Sequence, residues 1–314
     1  MGVCRDNILT LLSSTFITCK GLKMKLLRYG LSGTESPGML DENGQIRDLS
    51  GIISDFDRDT LTLNAFAGLV NLDVGHLPVV TEVQRIGPPL AKVGKVVCIG
   101  LNYRLHAKES GAQIPAEPII FMKAPTSVSG PDDSLIIPKG SVKTDWEVEL
   151  AAVIGKTTRY VDERNALDYV AGYCVANDVS EREFQTEGTG QWVKGKSADS
   201  FCPLGPYLVT PDEVSDPQNL RLWLEVNDHR YQDGSTDDMI FGVAHLISYV
   251  SRFMTLLAGD LLLTGTPSGV GFGLEPPVFL KPGDQVRLGI DGLGVQTQRV
   301  AVYDEHACAP HYYI

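Results

Sequence analysis

The chain has 314 residues, 43% of them hydrophobic and 21% charged, with a formal net charge of −12. That is globular composition, long enough for a sizeable core and two lobes. The acidic balance repels nucleic acid and anionic membranes at long range, no basic cluster reverses it, and no apolar stretch is long enough to span a bilayer.

Residues 1–23 stand apart. Asn7 to Thr18 is apolar and hydroxyl-rich after Arg5, a weak signal- or transit-peptide pattern without a clear small-residue cleavage site. The expectation is a dispensable or disordered extension, with organelle targeting as the alternative. The six cysteines show no C-x-x-C and no zinc spacing. Cys98, Cys174 and Cys202 sit in apolar runs and read as reduced core residues, which points to the cytoplasm.

Residues 24–90 alternate short strands with turn signals and read as a small N-terminal α/β domain. Leu40 to Leu49 predicts a hairpin turning at Asn43-Gly44. Gly87-Pro88-Pro89 marks a boundary, and residues 91–302 form the main domain. Lys95 to Gly100 is a buried strand. His106 and Glu109 then share a helix face at i, i+3, so the carboxylate can orient the imidazole to activate water. An incidental surface pair is the plainer alternative.

Glu147 and Glu149 stand in the strand-like run Thr144 to Gly155. On a strand, i and i+2 face one way, leaving Trp146, Val148 and Leu150 on the other face. Two carboxylates held that close repel each other, and a divalent cation relieves the repulsion. Oxygen ligands suit Mg²⁺, Mn²⁺ or Ca²⁺. A solvated strand face that binds nothing is the alternative.

A short helix is expected over Val161 to Tyr169, then an apolar strand ending at Asp178. This acid can complete a three-carboxylate site, or simply serve a turn. Ser180 and Glu183 have capping-box spacing. Arg182 and Gln185 follow on one helix face, suited to a carboxylate or keto oxygen. Gly190 to Ser197 spells G-x-x-x-x-G-K-S, the phosphate-loop pattern. No buried strand precedes it, and Phe201 to Pro206 cannot be the helix that must follow, so no nucleotide is expected. A longer helix is read over Phe241 to Leu257 and a buried strand over Asp260 to Gly265. The Gly-rich turn Thr264 to Gly271 would let a ligand approach backbone amides, or would be a plain loop. Residues 303–314 form a tail without a usable pattern.

Taken together, the pieces Gly100 to Tyr103, His106 with Glu109, Phe121 to Lys123, Glu147-Val148-Glu149, Asp178 with Arg182 and Gln185, Lys196-Ser197 and Thr264 to Gly271 resemble the fumarylacetoacetate hydrolase family over roughly residues 90–300. The resemblance implies a strand-rich α+β fold of the mixed β-sandwich roll type, usually a homodimer, with Mg²⁺, Mn²⁺ or Ca²⁺ bound. It implies Glu147, Glu149 and Asp178 as metal ligands, and His106, Glu109 and Lys196 as catalytic groups on or beside a mobile lid. Arg182, Gln185, Thr266, Tyr103 and Lys123 then fall to substrate binding. Asn102 stands where two-domain eukaryotic members carry a further metal-binding Asp, so three protein carboxylates are expected.

The implied substrate is a small 2-oxo acid. Hydrolysis of the C–C bond of a 2,4-dioxo acid, such as a 2,4-diketo-3-deoxy sugar acid or another acylpyruvate, is the preferred reading, through a metal-stabilised enolate. Ureidoglycolate lyase, oxaloacetate decarboxylase and 2-oxo-heptenedioate isomerase are alternatives on the same site. A metal- or nucleotide-binding protein without catalysis is a third class.

Overall fold

The computed structural model describes residues 23–62, 69, 72–83, 85–306 and 311–314. Residues 1–22, and with them nearly all of the expected N-terminal extension, lie outside it, as do Cys4, Cys19 and Cys308. In chain order the elements are β1 (Lys25–Tyr29), β2 (Ser36–Leu40), β3 (Ile46–Asp48), β4 (Ile86–Gly87), β5 (Val96–Gly100), α1 (Arg104–Glu109), β6 (Ile119–Lys123), β7 (Val128–Ser129), β8 (Leu135–Ile137), β9 (Thr144–Asp145) and β10 (Val148–Ile154). They continue with β11 (Val170–Asn177), β12 (Ser180–Glu181), α2 (Arg182–Thr186), α3 (Trp192–Lys196), β13 (Cys202–Pro203), β14 (Leu208–Val209), β15 (Arg221–Val226), β16 (His229–Ser235), α4 (Val243–Val250), β17 (Leu261–Leu263), β18 (Gln285–Ile290) and β19 (Gly294–Val302).

Two sheets dominate. The larger runs β3-β2-β1-β14-β11-β10-β17-β5-β6, with β4 also on β1, and the smaller runs β16-β15-β18-β19-β8. At the centre of the larger sheet every residue of β10 and β11 is buried, as expected of strands covered on both faces. One face sends Val148, Leu150, Ala152 and Ile154 toward Leu222, Leu224, Val286 and Leu288 of the smaller sheet and toward Val243, Leu246, Ile247 and Val250 of α4. The opposite face sends Ala151 and Val153 into a second core with Cys98, Cys174, Cys202, Leu26 and Met39. The fold is strand-rich α+β, as expected, and the three cysteines are free and buried.

Several local expectations are revised. The 24–90 segment builds no sheet of its own, because β1 pairs with β14 and extends the central sheet. The hairpin at Asn43-Gly44, by contrast, forms as expected between β2 and β3. Val161–Tyr169 gives a 3₁₀ helix over Glu163–Tyr169. The Phe241–Leu257 helix covers only Val243–Val250; turns follow, and Leu256 forms a bridge with Thr158. The tail is tied down: Tyr313 is 1% exposed, its hydroxyl donates to Glu35 (2.6 Å), and its carbonyl accepts from Val93 N (2.8 Å). Glu35 also pairs with Arg28 and Arg85, so a buried ionic cluster joins the N-terminal strands to the last residues. Among the described residues no helix is long and apolar enough to cross a membrane.

Candidate metal centre and cavity

Antiparallel pairing of β10 with β11 sets Val148 opposite Asn177 and Glu149 opposite Ala176. Glu147 immediately precedes one strand and Asp178 immediately follows the other, and Asp178 N donates to Glu147 O at 2.9 Å. The expected parity holds, with Glu147 and Glu149 turned away from the core that takes Trp146, Val148 and Leu150. One carboxylate oxygen from each of Glu147, Glu149 and Asp178 lies within 4.8 Å of the others, and all three residues are buried. No other cluster of three or more such groups occurs among the described residues.

Buried cations hold two of the three acids. Lys196 Nζ donates to Glu147 Oε2 (2.8 Å) and Asp178 Oδ2 (2.7 Å). Lys123 Nζ donates to Asp178 Oδ1 (2.5 Å) and Val179 O (3.0 Å). Arg182 pairs with Glu147 Oε1 (2.7 Å), with Asp145 Oδ2 through Nε (2.8 Å), and with Gln185 Oε1 through Nη1 (2.9 Å). Burial pushes the Glu147 carboxyl upward, but Lys196 and Arg182 outweigh it and bring it down to about 2. Burial likewise works against the Lys196 charge, and Asp178 and Glu147 reverse this, holding the ammonium above its ordinary range.

Glu149 is different. Its carboxylate accepts from Gly265 N (2.7 Å) and has no ion pair among the described residues. Burial, then Asp178 and Glu147, push its carboxyl well above the usual range. With every group ionised, Asp145, Glu147, Glu149 and Asp178 against Lys123, Arg182 and Lys196 leave one uncompensated negative charge in a buried site. Three convergent hard oxygen donors with excess negative charge fit a divalent cation of the Mg²⁺, Mn²⁺ or Ca²⁺ class. A dication plus one monocarboxylate ligand would bring the set to neutrality.

The His106–Glu109 pair forms as expected. His106 Nδ1 lies 3.1 Å from Glu109 Oε2, while Glu109 Oε1 accepts from Gly269 N at 2.9 Å. The Gly-rich turn therefore fixes the acid that orients the imidazole. Gly269 is required there: its φ is +102°, and a Cβ would sit 1.9 Å from Tyr231 O. Asn102 is committed to backbone, donating to Thr264 O (2.7 Å) and accepting from Phe241 N (2.9 Å), which leaves three carboxylates facing the centre.

A cavity of about 510 Å³ opens above these groups and is lined by His106, Glu109, Glu147, Glu149, Arg182, Gln185, Lys196 and Thr266, among others. Two expected substrate-binding residues lie elsewhere. Lys123 is 1% exposed and is spent on Asp178, and Tyr103 is fully buried in the main core; neither lines the cavity. Thr266 does line it, but its hydroxyl donates to Val148 O (2.9 Å) and accepts from Gln232 Nε2 (2.8 Å). The expected Ser180–Glu183 capping box is absent. Ser180 lies in β12 and donates to Asp178 O, while Glu181 caps α2 by accepting from Glu183 N. Gly190 to Ser197 holds helix α3, whose last residue, Lys196, reaches the acids.

Asp145 was not picked out from the sequence. It is fully buried and accepts from Trp146 N, Gly271 N and Phe272 N as well as Arg182. It thus aims Arg182 and anchors the far end of the Gly-rich turn. Its position two residues before Glu147, on the same strand parity, was the available signal. Asp145→Asn should leave the Arg182 charge poorly compensated and cost about 3–5 kcal/mol, the range for breaking a buried ion pair; chemical denaturation measures it.

Residues 95–301 match the family of fumarylacetoacetate (FAA) hydrolase C-terminal domains. The chain belongs to the fumarylacetoacetate hydrolase family. It is 59% identical over 276 residues to a Burkholderia ambifaria protein described as "Putative hydrolase", covering 88% of this chain and 98% of that one. Among solved structures, it resembles a fumarylacetoacetate hydrolase from Exiguobacterium antarcticum (TM-score 0.79, 36% identity, 89% of this chain and 100% of that one). It also resembles a maleylpyruvate hydrolase from Sphingobium sp. SYK-6 in complex with manganese(II) and pyruvate (TM-score 0.74, 28% identity, 90% and 100% covered). A third is a 2-hydroxyhepta-2,4-diene-1,7-dioate isomerase from Mycobacterium marinum (TM-score 0.67, 32% identity, 90% and 100% covered).

Proposed function

We propose that this protein is a divalent-metal-dependent hydrolase that cleaves the C–C bond of a 2,4-dioxo acid, releasing pyruvate or a substituted pyruvate and a carboxylic acid. The observation that carries the reading is one cavity lined by the buried carboxylates Glu147 and Glu149, by the cations Arg182 and Lys196, and by a histidine with its orienting carboxylate. Manganese(II) and pyruvate in the structurally similar maleylpyruvate hydrolase support it.

Glu147, Glu149 and Asp178 would hold the ion. When bound, it supplies Lewis acidity toward the carboxylate and 2-oxo oxygens of the substrate. His106, with Nδ1 held by Glu109, presents Nε2 as the base that takes a proton from water. Water adds to the C4 carbonyl, the C3–C4 bond breaks, and its electron pair passes to C3, which then takes a proton. Lys196 and Gln185 border the cavity as N–H donors for oxygens on which negative charge develops. Arg182, held by Asp145 and Glu147, supplies a fixed positive charge for the substrate carboxylate.

A panel of 2,4-dioxo acids, oxaloacetate, a 2-oxo-heptenedioate and ureidoglycolate, each with Mg²⁺ or Mn²⁺ and with EDTA, tests the reading. The expected result is metal-dependent release of pyruvate and a carboxylic acid from a 2,4-dioxo acid, abolished by EDTA. Turnover confined to isomerisation, decarboxylation or ureidoglycolate cleavage would replace the hydrolase by that activity.

A further inference from the structure

Beyond the acids, the cavity wall has a different chemistry. It is built by Ile99, Gly100 and Leu101 at the end of β5, Phe121 of β6 and Trp192 of α3, with Phe272 and Leu274 also lining the cavity. Trp192 and Lys196 are one helical turn apart, so they share a face of α3. The lysine reaches the acids, and the indole lines the same cavity. The indole lies flush against Gly100, where a Cβ would fall 2.5 Å from Trp192 Cζ3. It meets Phe121 edge-on, with ring centroids 5.4 Å apart. The strand thus ends in a residue without a side chain where the tryptophan needs the room.

The hydroxyls in this region are already used. Ser110 Oγ donates to His106 O or Ala107 O, and Thr186 Oγ1 donates to Arg182 O. Apart from the exposed Glu275 carboxylate and the Trp192 indole N–H, a chain rich in hydroxyls would find few side-chain partners along this wall, and unpaired buried polar groups are costly.

We infer that the Gly100–Phe121–Trp192 wall is an acyl-group subsite that selects alkyl or aryl 2,4-dioxo acids over polyhydroxylated sugar-derived ones. The inference rests on the proposed hydrolase reading and names its substrate class. It moves the expected substrate away from 2,4-diketo-3-deoxy sugar acids.

The test measures kcat/KM with Mg²⁺ for 2,4-dioxo acids whose acyl group is acetyl, longer alkyl, benzoyl, or hydroxylated at matched length. Each added methylene should raise kcat/KM about fourfold until the wall is filled. Each hydroxylated acid should trail its alkyl match by about tenfold or more. Trp192→Ala and Gly100→Ala, the second pushing the indole into the cavity, should each cut the benzoyl-to-acetyl ratio about tenfold. Calorimetry of simple 2-oxo acids of increasing chain length, with Mg²⁺, gives a readout independent of turnover. Cleavage without chain-length preference, or a ratio unmoved in a folded Trp192→Ala protein, overturns the subsite and leaves the hydrolase. Chain-length-dependent binding without cleavage of any dioxo acid keeps the subsite and overturns the hydrolase. Neither cleavage nor such binding overturns both.

Discussion

Glu149→Gln is expected to abolish divalent-metal binding while making the metal-free protein more stable. The two signs come from one cause. Glu149 is 1% exposed, accepts one hydrogen bond, and faces Glu147 and Asp178 without a cation of its own. Its carboxyl is therefore held above the ordinary range by burial first and by those two acids next. A carboxyl raised in this way binds its proton more tightly folded than unfolded. Metal-free stability should fall as pH rises from the ordinary carboxylate range toward the folded value. Glutamine keeps the shape and the Gly265 contact but removes the charge, so this pH slope should flatten.

A bound divalent ion should stabilise the wild type by about 2.7 kcal/mol at a hundredfold excess over Kd. The variant should show no such gain. Its metal affinity should fall at least ~100-fold, the size reached by losing even a group that only supports a ligand. Calorimetry with Mg²⁺ and Mn²⁺, and thermal melts with and without EDTA, measure both. Ordinary metal binding by the variant would remove Glu149 from the ligand set.

His106→Ala should lower kcat by roughly 10²–10⁴ with metal binding retained, the range expected for loss of a general base. Glu109→Gln should be nearly as damaging, for a reason visible in the geometry. Gly269 N donates to one oxygen of Glu109, and His106 Nδ1 meets the other. A glutamine there turns its oxygen to Gly269 and its NH₂ to His106. Nδ1 must then accept, the proton moves to Nε2, and the ring can no longer take one from water. A loss of ~100-fold or more with circular dichroism unchanged is the expected outcome. Full activity in Glu109→Gln would mean that the imidazole needs no orienting partner.

Much of the site was legible in the sequence because it rests on short-range geometry. The parity of Glu147 and Glu149 follows from the strand period, and the His106–Glu109 contact from the helical i, i+3 spacing. The Arg182–Gln185 contact follows likewise. Asp178 was offered as a third acid by its place at a strand end, and the family resemblance ordered these pieces and gave Lys196 its role. What spacing could not show was how each side chain is spent. Lys123 and Tyr103 are close in sequence to cavity-lining residues, yet one neutralises Asp178 and the other fills the core. The Ser180–Glu183 cap pattern lost to β12, which pairs with β9 and leaves Glu181 to cap the helix.

By itself the sequence determined which carboxylates share a face and that the strands in Lys95 to Gly100 and Asp260 to Gly265 are buried. Each depends on periodicity or on local steric limits, which act over a few residues. Only the tertiary structure decided the charge balance and the substrate wall. Lys123, Arg182 and Lys196 reach the acids from β6, α2 and α3, Asp145 of β9 holds Arg182, and Trp192 needs the bare backbone of Gly100. Those contacts join residues separated by up to 92 positions. They exist because the central sheet and its short flanking helices bury opposite charges together, where the cost of desolvation leaves each one needing a partner.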